Sequence, residues 1–257
     1  MFSRYVALGD STTEGLEDPY PDGSGYRGWA DRLAERVAAV NPDLEYANLG
    51  VRGRKAHEVH EQQLEPALAL KPDLATVIAG INDVLRRHCD LDVVAGHLDA
   101  MIGELRATGA TVVTFTYPDP SQANKWAGSA GPRLRDFNER LRRSATTHGA
   151  LVLDLEASPH AADPRVWHTD RLHANPLGHE RVAAGLAHLL GLPDADAGWD
   201  SPLGPRRPVA LPRALAADAL WAARFLTPWI VRRLRGRSSG DGRLPKRPQL
   251  TRFSPPR

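Results

Sequence analysis

A serine that closes an apolar run, an asparagine after another such run and an Asp-x-x-His pair late in the chain are the residues whose types and spacing could do chemistry. Tyr5-Val6-Ala7-Leu8-Gly9 leads into Asp10-Ser11-Thr12-Thr13-Glu14-Gly15. A short apolar segment bounded by glycine reads as a buried strand that delivers Ser11 to its carboxyl end. In an open α/β sheet that end is where ligands bind. Taken alone, Asp10-Ser11 fits a helix N-cap equally well. Nucleophilic serine chemistry needs a base, an acid to orient the base, and donors for the developing oxyanion.

Candidates for each occur downstream. Leu74–Ile78 is a second buried-strand pattern, and it runs into Ala79-Gly80-Ile81-Asn82-Asp83. Asn82 suits an Asx turn, and its amide also suits oxyanion stabilisation, a contribution of roughly 3 to 4 kcal/mol. Asn48-Leu49-Gly50-Val51-Arg52-Gly53 follows another short strand, and its two glycines signal a sharp turn or a close backbone approach. Asp170 and His173 lie within one turn of Trp167–His179. Spacing leaves three uses open for them: an acid–base pair, a cap on the following helix, or metal ligation with His168 and His179. His57 and His60, three residues apart on a helical pattern, read as a solvated face.

These residues must be positioned by the elements between them. Trp29, Leu33, Val37 and Val40 recur at helical spacing, as do Val59, Leu64 and Leu68, then Val94, Leu98, Met101, Ile102 and Leu105, and later Leu134, Phe137 and Leu141. Strand patterns at Leu44–Asn48, Leu74–Ile78, Thr111–Thr116 and Leu151–Asp154 alternate with them. Alternation of this kind predicts a doubly wound, mostly parallel sheet with right-handed crossovers. Loops rich in Pro, Gly and Asp occupy Leu16–Gly28 and Tyr117–Pro132. The first is a candidate substrate rim; Trp126 of the second, with Trp29 and the tyrosines, is a candidate lining for an acyl or aglycone pocket, or packing alone.

As a set, Gly9-Asp10-Ser11 with Glu14-Gly15, the Asn48–Gly53 block, Gly80-Ile81-Asn82-Asp83 and Asp170-Arg171-Leu172-His173 resemble the four blocks of the SGNH (GDSL-type) hydrolases. The resemblance covers residues 3–192. It implies a three-layer α/β/α sandwich around a five-stranded, mostly parallel, flavodoxin-like sheet. It further implies that Ser11 is the nucleophile, His173 the base and Asp170 the orienting acid. The N–H groups of Ser11 and Gly53 and the Asn82 amide would form the oxyanion hole. No metal or organic cofactor is implied, and the reaction would be hydrolysis of a small-molecule carboxylic ester. Thr12 stands where leucine is common in the family. The different-class alternative is a non-catalytic scaffold of the same fold, recruited to a membrane or an acidic partner by a basic tail.

Composition separates body from tail. The net charge of +2 over 257 residues hides 20 basic against 29 acidic residues up to position 200, and 13 basic against Asp218 and Asp241 beyond it. The lone Cys89 excludes an intramolecular disulfide and a cysteine-based zinc site. The chain reaches Ser11 with no room for a secretory signal, and its apolar runs fall short of a bilayer span, so the expectation is a cytoplasmic enzyme. A hydrolase domain over 1–192 would be followed by a Pro-rich linker over 193–212, a basic amphipathic helical segment over 213–235 and a disordered basic tail over 236–257. For the helical segment three readings stand: packing on the acidic body, peripheral contact with an anionic membrane, and nucleic-acid binding, which no recognised motif supports.

Overall fold

The computed structural model describes residues 1–86, 88–118, 130–161, 163–206 and 210–254. Trp126, the aromatic of the second loop, lies outside them. The elements alternate as β1 (Arg4–Gly9), α1 (Ser11–Glu14), α2 (Gly28–Val40), β2 (Glu45–Asn48), α3 (Ala56–Ala69), β3 (Leu74–Ile78), α4 (Ile81–Val84), α5 (Leu91–Ala107), β4 (Thr111–Phe115), α6 (Gly131–His148), β5 (Leu151–Leu153) and α7 (Pro176–Leu189). A helical tail, α8 (Leu211–Trp221), a π-helical turn (Ala222–Leu226) and α9 (Thr227–Leu234), precedes a last strand, β6 (Arg247–Arg252).

Strand order is β5-β4-β3-β1-β2-β6, parallel from β5 through β2, with β6 antiparallel to β2. The chain steps from β1 outward to β2, then crosses back past β1 to β3 and continues to β5. Right-handed crossovers in opposite directions place helices on opposite faces. Accordingly α2 packs with α7, and α3, α5 and α6 pack in sequence with one another. The direction reverses between β1 and β3, the switch point where doubly wound sheets hold their ligands. Ser11 follows one of these strands and Asn82 the other.

β1 is buried from Tyr5 to Gly9 and β3 throughout, as strands covered on both faces must be. Trp29, Tyr5, Tyr46 and Phe137 are the largest fully buried side chains.

Two expectations are corrected. Among the described residues the sheet has six strands, and the sixth comes from the segment expected to lack structure: Phe253 is buried against Tyr46, ring centroids 5.5 Å apart, and Lys246 Nζ lies 2.8 Å from Asp31 Oδ1. Arg-Pro-Gln-Leu-Thr-Arg carries no alternating pattern because an edge strand is held by its backbone and needs few buried side chains. Secondly, Leu211–Arg232 is long and apolar enough to cross a membrane by length and composition. Arg213, Asp218 and Arg224 interrupt the apolar run without removing its overall character.

Candidate active site

Ser11 opens α1 at the end of β1, and the turn is built from close contacts. Gly9 has φ +153°, and a Cβ there would sit 2.2 Å from Ile78 O and 2.3 Å from Thr13 Oγ1, so only glycine fits. Its N–H donates to Gln63 Oε1 at 2.8 Å, and its carbonyl accepts from Gln63 Nε2 at 2.9 Å. Asp10 caps α1 by accepting from Thr12 N–H at 2.9 Å. The cap and the nucleophile candidate are therefore adjacent residues, and Asp10 takes the capping role that the sequence left open for Ser11.

The candidate base and acid arrive on the turn before α7. Asp170 Oδ1 accepts from the N–H groups of Leu172 at 3.0 Å and His173 at 3.1 Å, which shapes the turn. Its Oδ2 lies 2.7 Å from His173 Nδ1, and His173 Nε2 lies 2.9 Å from Ser11 Oγ. Capping and pairing, rival readings of Asp170, are both fulfilled by one carboxylate. Burial pushes this carboxyl up, but the hydrogen bond and charge of His173 and the two backbone donors outweigh it and bring its pKa down to about 2. Asn175 then caps α7 from Gly178 N–H, with Pro176 in the first turn, and the packing of α7 on α2 sets this turn over β1.

The proposed oxyanion donors are less uniformly placed. Asn82 Nδ2 donates to Arg54 O at 2.9 Å and to Asp10 Oδ2 at 3.1 Å, so both amide hydrogens are engaged. Asp10 is fully buried, and desolvation raises its pKa to about 6 against the hydrogen bonds of Thr12 and the charge of His173. Of the two glycines, Gly50 gives its N–H to Asn48 Oδ1, whereas Gly53, at φ +76°, has no acceptor among the described residues. Glu14 ties this turn to α1 by accepting from Arg52 N–H at 2.8 Å and pairing with its guanidinium.

Beside Ser11 opens a cavity of about 100 Å³, bounded mostly by apolar side chains that include Trp29, Phe115, Leu134, Leu155, Val166 and Val182. Ser11, Asn82 and His173 stand on its wall. Trp29 Nε1 is buried with no hydrogen-bond partner among the described residues. From the expected rim Leu16–Gly28, Leu16 reaches the cavity, while Tyr20 turns inward to donate to Asp31 at 2.9 Å.

The remaining histidines divide. His179 is buried and spent on structure: its Nδ1 accepts from Trp29 N–H at 3.1 Å and its Nε2 donates to Leu16 O at 2.9 Å, and burial brings its pKa down to about 4. It leaves the metal set. Glu17, His168 and Asp170 do offer ligand atoms within 4.8 Å of one another, but a cation there would compete with His173 for Asp170. His60 is not merely solvated, since its Nδ1 lies 2.9 Å from Nδ1 of His97 on α5. Sequence reasoning missed Gln63, the Asp10–Asn82 contact and Trp221 Nε1, which donates to Asp170 O at 2.7 Å. A buried amide two turns into a helix or a tryptophan in a basic tail gives no local signal of such partners.

The chain thus folds as a doubly wound α/β sheet with a serine, a histidine and an aspartate in contact at its switch point, an arrangement of the kind that serine hydrolases use. Residues 7–181 match the model of the GDSL-like lipase/acylhydrolase family, and the chain belongs to that family. It is an ester hydrolase. It is 28% identical over 197 residues to GDSL lipase Rv0518 of Mycobacterium tuberculosis (73% of this chain, 81% of the relative). It is 23% identical over 212 residues to an acetylxylan esterase of Geobacillus stearothermophilus (73% and 94%). Among solved structures, that esterase, Axe2, matches with TM-score 0.64 at 20% identity (76% and 97%), and LAE5, an α/β hydrolase from the Lake Arreo metagenome, with 0.62 at 23% identity (74% and 95%).

Proposed function

We propose that the protein hydrolyses carboxylic esters through an acyl-serine intermediate, with Ser11 as nucleophile, His173 as base and Asp170 as the acid that orients it. The observation carrying this reading is the unbroken chain Ser11 Oγ–His173 Nε2, 2.9 Å, and His173 Nδ1–Asp170 Oδ2, 2.7 Å. As Ser11 attacks the ester carbonyl, its proton passes to Nε2, and the Asp170 carboxylate, held ionised, stabilises the imidazolium that forms. The proton then goes to the departing alcohol. In the second half His173 deprotonates water, which releases the acid from Ser11.

The carbonyl oxygen would be received by the N–H groups of Ser11 and Gly53 and by the Asn82 amide, which exchanges one of its present acceptors for it. The apolar walls beside Ser11 favour an apolar acyl group over a short acetyl, and the ester is a small molecule. The paired serine and histidine argue against a non-catalytic scaffold. Ser11→Ala should abolish p-nitrophenyl butyrate hydrolysis and labelling by a fluorophosphonate probe. Hydrolysis or labelling retained by Ser11→Ala would remove Ser11 from the mechanism.

A further inference from the structure

Between positions 211 and 231 the charged residues are Arg213, Asp218 and Arg224, and further arginines follow at 232, 233, 235 and 237. Asp218 is neutralised by Arg171 at 2.7 Å. Of this helical stretch only Trp221 is buried, and its neighbours on the inner face, Asp218 and Phe225, meet Arg171 and the His168 ring. The stretch also shows water many large apolar side chains: Leu211 is 71% exposed, Leu215 60% and Leu220 66%, with Trp229, Ile230 and Val231 each about 40%. Arg213, Arg224, Arg232, Arg235 and Arg237 are exposed along the same stretch. An exposed helix with this much apolar surface and an excess of arginine is built for something other than water.

Both flanks fix how it can be used. Trp199 packs against Gly185, and Gly204 O accepts from Arg165, before the helix starts. After it, Gly240 lies against Arg52 O, Ser238 Oγ donates to Gly53 O at 3.4 Å and β6 joins the sheet. A helix whose two ends return to the same body cannot span a bilayer, but it can lie on one. A second copy of the chain is a poor occupant, because it would set arginine against arginine. The same stretch bridges the two halves of the site, from the Asp170 carbonyl at Trp221 to Gly53 at Ser238.

We propose that Leu211–Leu234 is a docking element for anionic phospholipid bilayers, its leucines and Trp229 entering the interface and its arginines meeting lipid phosphates, which sets the rim of the cavity against the membrane. This does not depend on the catalytic assignments. The test is co-sedimentation of the full-length protein with phosphatidylcholine vesicles with and without phosphatidylglycerol. Because β6 belongs to the sheet, truncation of the tail would damage the body, and point variants serve instead. Wild type should bind the phosphatidylglycerol vesicles and be released by salt. Leu215→Asp/Leu220→Asp should weaken binding by about tenfold or more, and Arg213→Glu/Arg232→Glu by a similar order. Both variants should hydrolyse soluble p-nitrophenyl butyrate at the wild-type rate, which also shows that they fold. Failure of wild type to sediment with either vesicle, equal sedimentation of wild type and both variants, or a concentration-dependent dimer that the leucine variant abolishes would each overturn the proposal.

Discussion

Replacing Asp170 by asparagine isolates what the carboxylate does beyond shaping its turn. The side chain is the same size, and its Oδ1 can still accept from the N–H groups of Leu172 and His173, which lie 3.0 and 3.1 Å away. Two things are lost. The first is charge: the fall of the Asp170 pKa from 3.8 to about 2 corresponds to about 2 to 3 kcal/mol of preference for the ionised form, or one to two orders of magnitude. That figure is the net of burial, which opposes ionisation, and of His173 and the two backbone donors, which favour it, so it sets the scale of the charge effect. The second is the tautomer. An amide –NH₂ facing Nδ1 requires Nδ1 to accept, which moves the ring proton to Nε2, where it meets Ser11 Oγ instead of receiving its proton.

The two losses together should lower kcat by more than about 10³-fold, in the range known for a triad with the wrong tautomer. Initial rates on p-nitrophenyl butyrate at neutral pH measure it, with circular dichroism showing that the fold is retained. A loss of no more than about 100-fold would mean that charge suffices and the tautomer argument fails; unchanged turnover would remove Asp170 as the orienting acid. Stability carries an independent sign. A carboxyl depressed in the folded state stabilises above its unfolded pKa, so wild type should lose this contribution as pH falls from about 4 to about 2. The asparagine variant should lack that component of acid unfolding.

Other consequences are as direct. Asn82→Ala should lower kcat by about two to three orders of magnitude with little change in KM, and a kcat within a few-fold of wild type would remove it from the oxyanion hole. Asp10 has the opposite linkage to Asp170: its pKa is raised to about 6, so its stabilising contribution is complete below about pH 4 and lost as pH rises through 6. Asp10→Asn should therefore flatten thermal stability between pH 4 and 7, and it should slow turnover about tenfold or more by presenting an amide to the Asn82 donor. Phe253→Ala should cost about 3 kcal/mol in urea unfolding, whereas a disordered tail would give no change. Along a p-nitrophenyl ester series from acetate upward, kcat/KM should rise about fourfold per methylene until the cavity is full; a maximum at acetate would refute an apolar acyl pocket.

Much of the candidate site was legible because its residues sit where short apolar strands stop. Ser11 after β1, the Gly50–Gly53 turn after β2 and Asn82 after β3 are local events, each written within a few residues of a recognisable strand, and the alternation of helices and strands brings those ends to one edge. The Asp170–His173 pair was legible as a pair but not as a role, since one carboxylate oxygen caps the turn while the other holds the ring. Partnerships across distant segments left no trace. Gln63 clamping Gly9, Asp10 holding Asn82 and Trp221 holding the Asp170 carbonyl each join residues whose own neighbourhoods give a sufficient bland account of them.

The tail shows why composition failed there. Residues 236–257 hold too few apolar side chains to form a core of their own, and that inference is sound for an isolated segment. What it omits is that a segment can borrow a core. β2 presents an unpaired edge, and β6 satisfies it with backbone hydrogen bonds that any sequence can make, while Phe253 enters an existing aromatic cluster beside Tyr46. Lys246 supplies the charge for Asp31, a buried acid that also accepts from Tyr20 and Tyr46. Asp31 has no other cationic partner within reach among the described residues, so the acidic body and the basic tail complete one another at this point. Removing the tail would leave a buried carboxylate uncompensated, which is a reason to expect the hydrolase body and its C-terminal strand to unfold as one cooperative unit.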